Sequence, residues 1–170
     1  MSIDLPEGKL SFCFEFDAIK FDDSAYYRDH FIKIQNGIGA VDLLAVNDET
    51  GYLIEIKDYT HPDTENLKPN ELIEAIVNKV VSTLAAMLPM KNNASISAEK
   101  EIAEIFAKTS QIRVVLHIEK PPARRTLKQS CYNFQEIEKS LRRKLKPIDA
   151  HPKVVSKANL KGLPWLVTEI

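Results

Sequence analysis

The chain has 170 residues, 44% of them hydrophobic and 28% charged, with a formal net charge of -1 at pH 7. That length suits a single domain spanning 1–170, large enough to bury about 70% of its unfolded surface. No stretch approaches the roughly 18 consecutive apolar residues of a membrane span, and the early acids Asp4 and Glu7 do not read as a signal peptide. The expectation is a cytoplasmic globular protein without a membrane partner. Its two cysteines, Cys13 and Cys131, lack metal-ligand spacing and read as reduced thiols.

In chain order, the first expected strand is Leu10–Phe16, with Phe12, Phe14 and Phe16 on one face. Asp23 or Ser24 caps a helix to about Lys33 that buries Tyr27, Phe31 and Ile34. Gly37 and Gly39 break it. Two apolar runs then flank the turn formers Asn47-Asp48-Glu49-Thr50-Gly51, which predicts a hairpin. Folded symmetrically, Val46 faces Gly51, Leu44 faces Leu53 and Asp42 faces Glu55. Because side chains alternate along a strand, Glu55 and Lys57 project together beside Asp42. The opposite face carries Val41, Leu43, Ala45, Tyr52, Ile54 and Ile56. Strands apolar on both faces are usually central in an α/β layer structure.

The segment from His61 to Pro69 reads as a polar loop near these charges. A long helix from about Asn70 to Leu88 follows, with Leu72, Ile73, Ile76, Val77, Val80, Val81, Leu84 and Leu88 as its buried stripe. A short helix over 98–108, a strand over 111–119 and a basic amphipathic helix over 132–145 come next. In that last helix Phe134, Ile137, Leu141 and Leu145 face inward. The tail Leu163–Ile170 reads as an edge strand, where Pro164 is tolerated.

Asp42, Glu55 and Lys57 carry the chemistry. Two carboxylates that close repel unless a cation sits between them, and burial raises that cost. The plain structural alternative is a solvated hairpin end with a Glu55–Lys57 neighbour pair. Val41-Asp42, twelve residues, then Glu55-Ile56-Lys57 resembles the core motif of the PD-(D/E)xK nuclease superfamily, with Val41 in place of the proline. Across nearly the whole chain the sequence also looks like a group of uncharacterised bacterial proteins built on that core. Stretches 20–28, 54–59, 79–85 and 114–119 carry the likeness.

The resemblance implies an α-β-β-β-α-β restriction-endonuclease-like core: a mixed central sheet with helices on both faces, plus an extra C-terminal helix and strand. It also implies Mg²⁺ or Mn²⁺ on Asp42, Glu55 and the carbonyl of Ile56, hard oxygens suited to such ions. Lys57 then positions the attacking water or stabilises developing charge. An accessory acid often comes from the first helix; here Asp23 is the candidate, ahead of Glu15 and Asp29. Lys79 and Thr83 border the stripe of the long helix, where the superfamily often aims a polar residue at the site. A homodimer is compatible with such nucleases.

Charge is unevenly spread. Residues 1–66 hold fourteen acids and five bases, whereas residues 108–161 hold fourteen bases and four acids. Arg124, Arg125, Lys128, Arg142 and Arg143 are candidates for contacting a nucleic-acid backbone, DNA in preference to RNA. Pairing with the acidic half is the alternative. Asp58 and Trp165 read as structural, His117 as a hydrogen-bonded core or edge histidine, and His30, His61 and His151 show no zinc-like spacing. Three functions stay open: a metal-dependent phosphodiesterase, a catalytically inactive scaffold that binds nucleic acid, and a protein-interaction module.

Overall fold

The computed structural model describes residues 2–61, 63–120 and 132–170. Alternating apolar residues near the start form three short strands, β1 (Ile3–Glu7), β2 (Leu10–Phe14) and β3 (Asp17–Lys20). The Ser24 side chain accepts a hydrogen bond from the Tyr27 N–H, opening α1 (Ala25–Asp29), and a 3₁₀ turn (Phe31–Lys33) follows. The hairpin is β4 (Leu43–Asn47) and β5 (Thr50–Asp58). Next come α2 (Pro69–Asn93), α3 (Ser97–Phe106), β6 (Gln111–Glu119), α4 (Phe134–Leu145), β7 (Lys153–Val155) and β8 (Leu166–Glu169).

These elements build two sheets. The larger runs β3-β4-β5-β6-β7; its first three strands are antiparallel, and β6 and β7 continue parallel to β5. The smaller is an antiparallel β1-β2-β8 sheet, with the expected tail strand at its edge. Buried residues of all four helices, among them Tyr27, Ile76, Phe106 and Leu141, share one core with Leu44, Leu53 and Leu116. On the other face, Leu43, Ala45, Ile54, Ile56 and Val115 pack with Phe12, Phe14, Trp165 and Val167 of the small-sheet side.

The fold is therefore mixed α/β, but helices do not cover both faces of the central sheet. One face is covered by the small sheet, because the aromatic residues of β2 and the tail supply the apolar surface it needs. The order of elements also differs from the expected core. The first helix, α1, falls between the first and second antiparallel strands instead of ahead of all three.

Local departures have physical reasons. Phe16 lies just past the end of β2 and is half-buried, and Ile34 is 70% exposed beyond the 3₁₀ turn. The long helix runs through Pro89 to Asn93, since continuing it buries Met90 completely. Its buried face is rotated from the expected stripe, leaving Val81 and Leu88 outward and Thr83, Ala86 and Met87 inward. By length and composition α2 is apolar enough to cross a bilayer, yet Leu72, Ile76, Val80 and Met90 are core residues.

Candidate functional site

The hairpin register is the expected one. Leu44 pairs with Leu53 and Val46 with Gly51. The ladder stops at Leu43–Ile54, so Asp42 and Val41 precede β4 and escape its alternation. Val41 consequently joins the helix-side core instead of the Leu43 face. Its N–H donates to Thr83 Oγ1 at 3.0 Å, and that hydroxyl donates to the Lys79 carbonyl at 2.8 Å. Thr83 thus fastens α2 to the strand that presents Asp42.

Asp42 and Glu55 converge. Glu55 is 1% exposed and Asp42 8%. Asp42 Oδ2 accepts the Ile56 N–H at 2.6 Å, which locks the carboxylate against β5. Lys79 reaches in from α2 and places its Nζ 2.7 and 2.9 Å from the two Glu55 oxygens and 3.6 Å from Asp42 Oδ1. Lys57 approaches from its own strand, 3.0 Å from Glu55 Oε1. The stem of Lys79 runs over Gly39, where an added Cβ would stand 3.1 Å from Lys79 Cγ. Any larger residue at 39 would push the lysine.

The electrostatics show an excess of negative charge. Burial and then the Glu55 charge raise the Asp42 carboxyl to about 7, although Lys79 and the Ile56 N–H oppose the rise. For Lys79, burial alone would lower the value, but Glu55 and Asp42 more than offset it and hold the ammonium above the ordinary lysine range. Asp22 adds to the field. Burial, then Glu7 and Asp23, raise its carboxyl to about 6, and its charge is felt at both Asp42 and Lys79. Asp22 Oδ1 is buried without a hydrogen-bond partner, while the neighbouring Phe21 N–H is tied to the Asp42 carbonyl at 2.8 Å.

Asp42 opens onto a cleft of 350 Å³, which it lines with Ile56 and Lys57 together with Glu7, Asp58, His61, Asp63 and Glu65, while the buried Glu55 is not part of the lining. The polar loop after β5 forms one wall, as its position in the sequence suggested. Five of these side chains are acidic, so the cleft favours cations and disfavours a bare polyanion.

Of the expected site residues, the structure brings together Asp42, Glu55, Ile56, Lys57, Lys79 and Thr83. It does not bring in Asp23, which is exposed and pairs with Lys20 at 3.0 Å, nor the exposed Glu15 and Asp29. Asp22 is the acid that sequence reasoning missed. The Asp22-Asp23 pair was the available signal, and which of the two turned inward depended on the turn after β3. Among the described residues no cluster of three or more His, Cys, Asp or Glu stands close enough to hold a metal unaided.

The basic candidates lie elsewhere. Arg142 and Arg143 are exposed on α4, and Arg142 lines a separate groove with Lys139, Lys153 and Lys161. Arg124, Arg125, Lys128 and Cys131 lie outside the described residues. His117 is fully buried, with Nε2 2.8 Å from Glu119 Oε1, and burial lowers its pKa. Asp58 accepts from the Thr60 N–H at 2.9 Å, and Trp165 packs on Phe14 and Tyr52. His117 and Trp165 have the structural roles expected of them, whereas Asp58, besides bonding Thr60, lines the same cleft as Lys57.

No family model and no solved structure matches the chain. It is similar to a cysteine–tRNA ligase of Neisseria meningitidis serogroup A, 28% identical over 150 residues. That match covers 78% of this chain and 22% of the other, so the chain spans about a fifth of that relative's length.

Proposed function

We propose that the Asp42–Glu55–Lys57 cleft is the centre of a metal-dependent phosphodiester hydrolase acting on nucleic acid, DNA before RNA, on a restriction-endonuclease-like core. One observation carries this reading: two nearly buried carboxylates from adjacent strands turn toward a single cation position, with a second ammonium beside them. The strand order also supports it. Three antiparallel strands, a crossover through α2 and α3 and a parallel fourth strand set Asp42 just ahead of the second strand and Glu55 within the third, although α1 lies between the first two strands.

The donor set fits Mg²⁺ or Mn²⁺. Such ions accept one or two carboxylates and fill their remaining positions with carbonyls, water and substrate phosphate. Asp42 and Glu55 would hold the ion, with Ile56 lining the same cleft. When bound, the ion supplies charge neutralisation at a phosphodiester oxygen and a lowered pKa for water. The protein's own residues do the rest. The Ile56 N–H fixes the rotamer of Asp42. Lys57, 23% exposed and held on Glu55, stays aimed into the cleft, where its ammonium positions the attacking water or stabilises charge developing on the phosphorane oxygens. The oxygen of water bonds to phosphorus as the bond to the leaving oxygen breaks; the water gives up one proton to solvent and the leaving oxygen takes one from it, while Lys57 would stabilise the charge that develops.

A second reading, a catalytically silent scaffold, is favoured by one feature: the Lys79 ammonium already occupies the position between the two acids. The two separate in one assay. Wild type, Asp42→Ala and Lys57→Ala are incubated with single-stranded, duplex and branched DNA in Mn²⁺. Cleavage by wild type alone is the expected outcome. Absence of product from every substrate would leave the silent scaffold.

A further inference from the structure

We infer that Lys79 is a movable counter-ion, which holds the Asp42–Glu55 position until a divalent cation displaces its ammonium toward Asp22. The inference rests on the metal-site reading above and adds to it a built-in control on metal occupancy.

Three observations carry it. Lys79 Nζ takes both oxygens of Glu55 and faces Asp42, the position where a shared cation would have to sit. An ion coordinated by both carboxylates and the ammonium cannot be there together, because like charges at such separation repel strongly in a buried site. Next, Lys79 is a long, unbranched side chain entering from a different element than the acids. A rotation about its outer torsions therefore moves the ammonium while the carboxylates stay on their strands. Gly39 lies against the stem without a side chain to hold it in one rotamer.

Finally, the displaced ammonium has a destination. Asp22 Oδ1 is buried without a hydrogen-bond partner, and the negative charge of Asp22 favours the charged form of Lys79. An oxygen left without a partner in one arrangement gains one in the other. Asp22 is not close enough to Asp42 and Glu55 to make a three-acid ligand cluster. That separates the role of receiver from the role of ligand. Divalent affinity in the resting protein is then reduced by the cost of moving Lys79, and occupancy requires a high ion concentration or a substrate that adds ligands of its own.

The test is Mn²⁺ titration by calorimetry on the full chain, with wild type, Lys79→Met, Asp22→Asn and the double variant. Lys79→Met keeps the apolar stem and removes the charge, and it is expected to bind Mn²⁺ at least tenfold more tightly than wild type. Asp22→Asn is expected to weaken binding in wild type and to leave the Lys79→Met variant unchanged. Equal Mn²⁺ affinity in wild type and Lys79→Met would overturn the counter-ion role while leaving the metal site standing. No binding by either would overturn both. Equal weakening by Asp22→Asn in the two backgrounds would show that Asp22 acts on the ion only through its charge and would refute its role as receiver.

A measurement on unaltered protein guards against a variant that fails to fold. Acetylation of lysines, followed by mass spectrometry, should show the reactivity of Lys79 changing several-fold between metal-free protein and saturating Mg²⁺, as its partners change from Glu55 and Asp42 to Asp22. Unchanged reactivity at saturation would contradict displacement.

Discussion

Replacing Asp42 by Asn should stabilise the metal-free protein at pH 8 and lose that advantage in acid. The Asp42 carboxyl rises from 3.8 to about 7 on folding, and a change of that size corresponds to roughly 4 kcal/mol of differential stability. Because the folded value is raised, the sign is fixed. Below about pH 4 the group is protonated in both states and contributes no penalty. Between about 4 and 7 the unfolded chain releases its proton while the folded protein keeps it, so stability falls as pH rises. Above 7 the whole cost is present.

Asparagine still accepts the Ile56 N–H, but its amide is a poorer neighbour for Lys79 than a carboxylate. We therefore expect a net gain of about 1–3 kcal/mol at pH 8, or several °C in Tm for a chain of this size. Urea unfolding in chelator, at pH 8 and again at pH 4, measures it. An Asp42→Asn variant destabilised to the same extent at both pH values would refute the reasoning, because the carboxylate would then be a net stabilising partner of Lys79. Destabilisation by a functional carboxylate is the usual signature of a site selected for chemistry over stability.

Thr83→Val should cost about 1–3 kcal/mol in urea unfolding, since the buried Val41 N–H loses its acceptor; an unchanged midpoint would show that the N–H finds another. Gly51→Ala should destabilise by a comparable amount, because the new methyl meets the Phe106 ring at 2.4 Å. A neutral result there would mean that α3 shifts freely. Asp149→Ala should cost about 3 kcal/mol or more, as that 2%-exposed carboxylate accepts from the Arg113 guanidinium and the Val114 and His151 N–H groups. Thermal unfolding within 1 °C of wild type would contradict that role.

The hairpin and its register were legible because a turn with two flanking apolar runs fixes pairing to the residue. Strand β6 was legible from its β-branched residues between breaks, and the helix after it from its apolar period. Strands β1, β3 and β7 were not, being three to five residues long and too short to show a pattern. Coverage of the sheet by a second sheet was hidden because an apolar strand face does not say what lies against it. The acid pair could be read from local spacing alone, whereas Asp22 and the placement of Lys79 depend on how α2 and the turn after β3 meet the hairpin. Helix α2 is apolar nearly all round, so its inward face is set by tertiary contacts such as Thr83 to Val41 and not by period.

Crystals grown with Mn²⁺ and measured at the manganese absorption edge test the cation pocket most directly. The expected result is one anomalous peak about 2.1 Å from oxygens of both Asp42 and Glu55, with Lys79 Nζ moved off Glu55 toward Asp22. An unoccupied acid pair still clasped by Lys79 at saturating Mn²⁺ would contradict it.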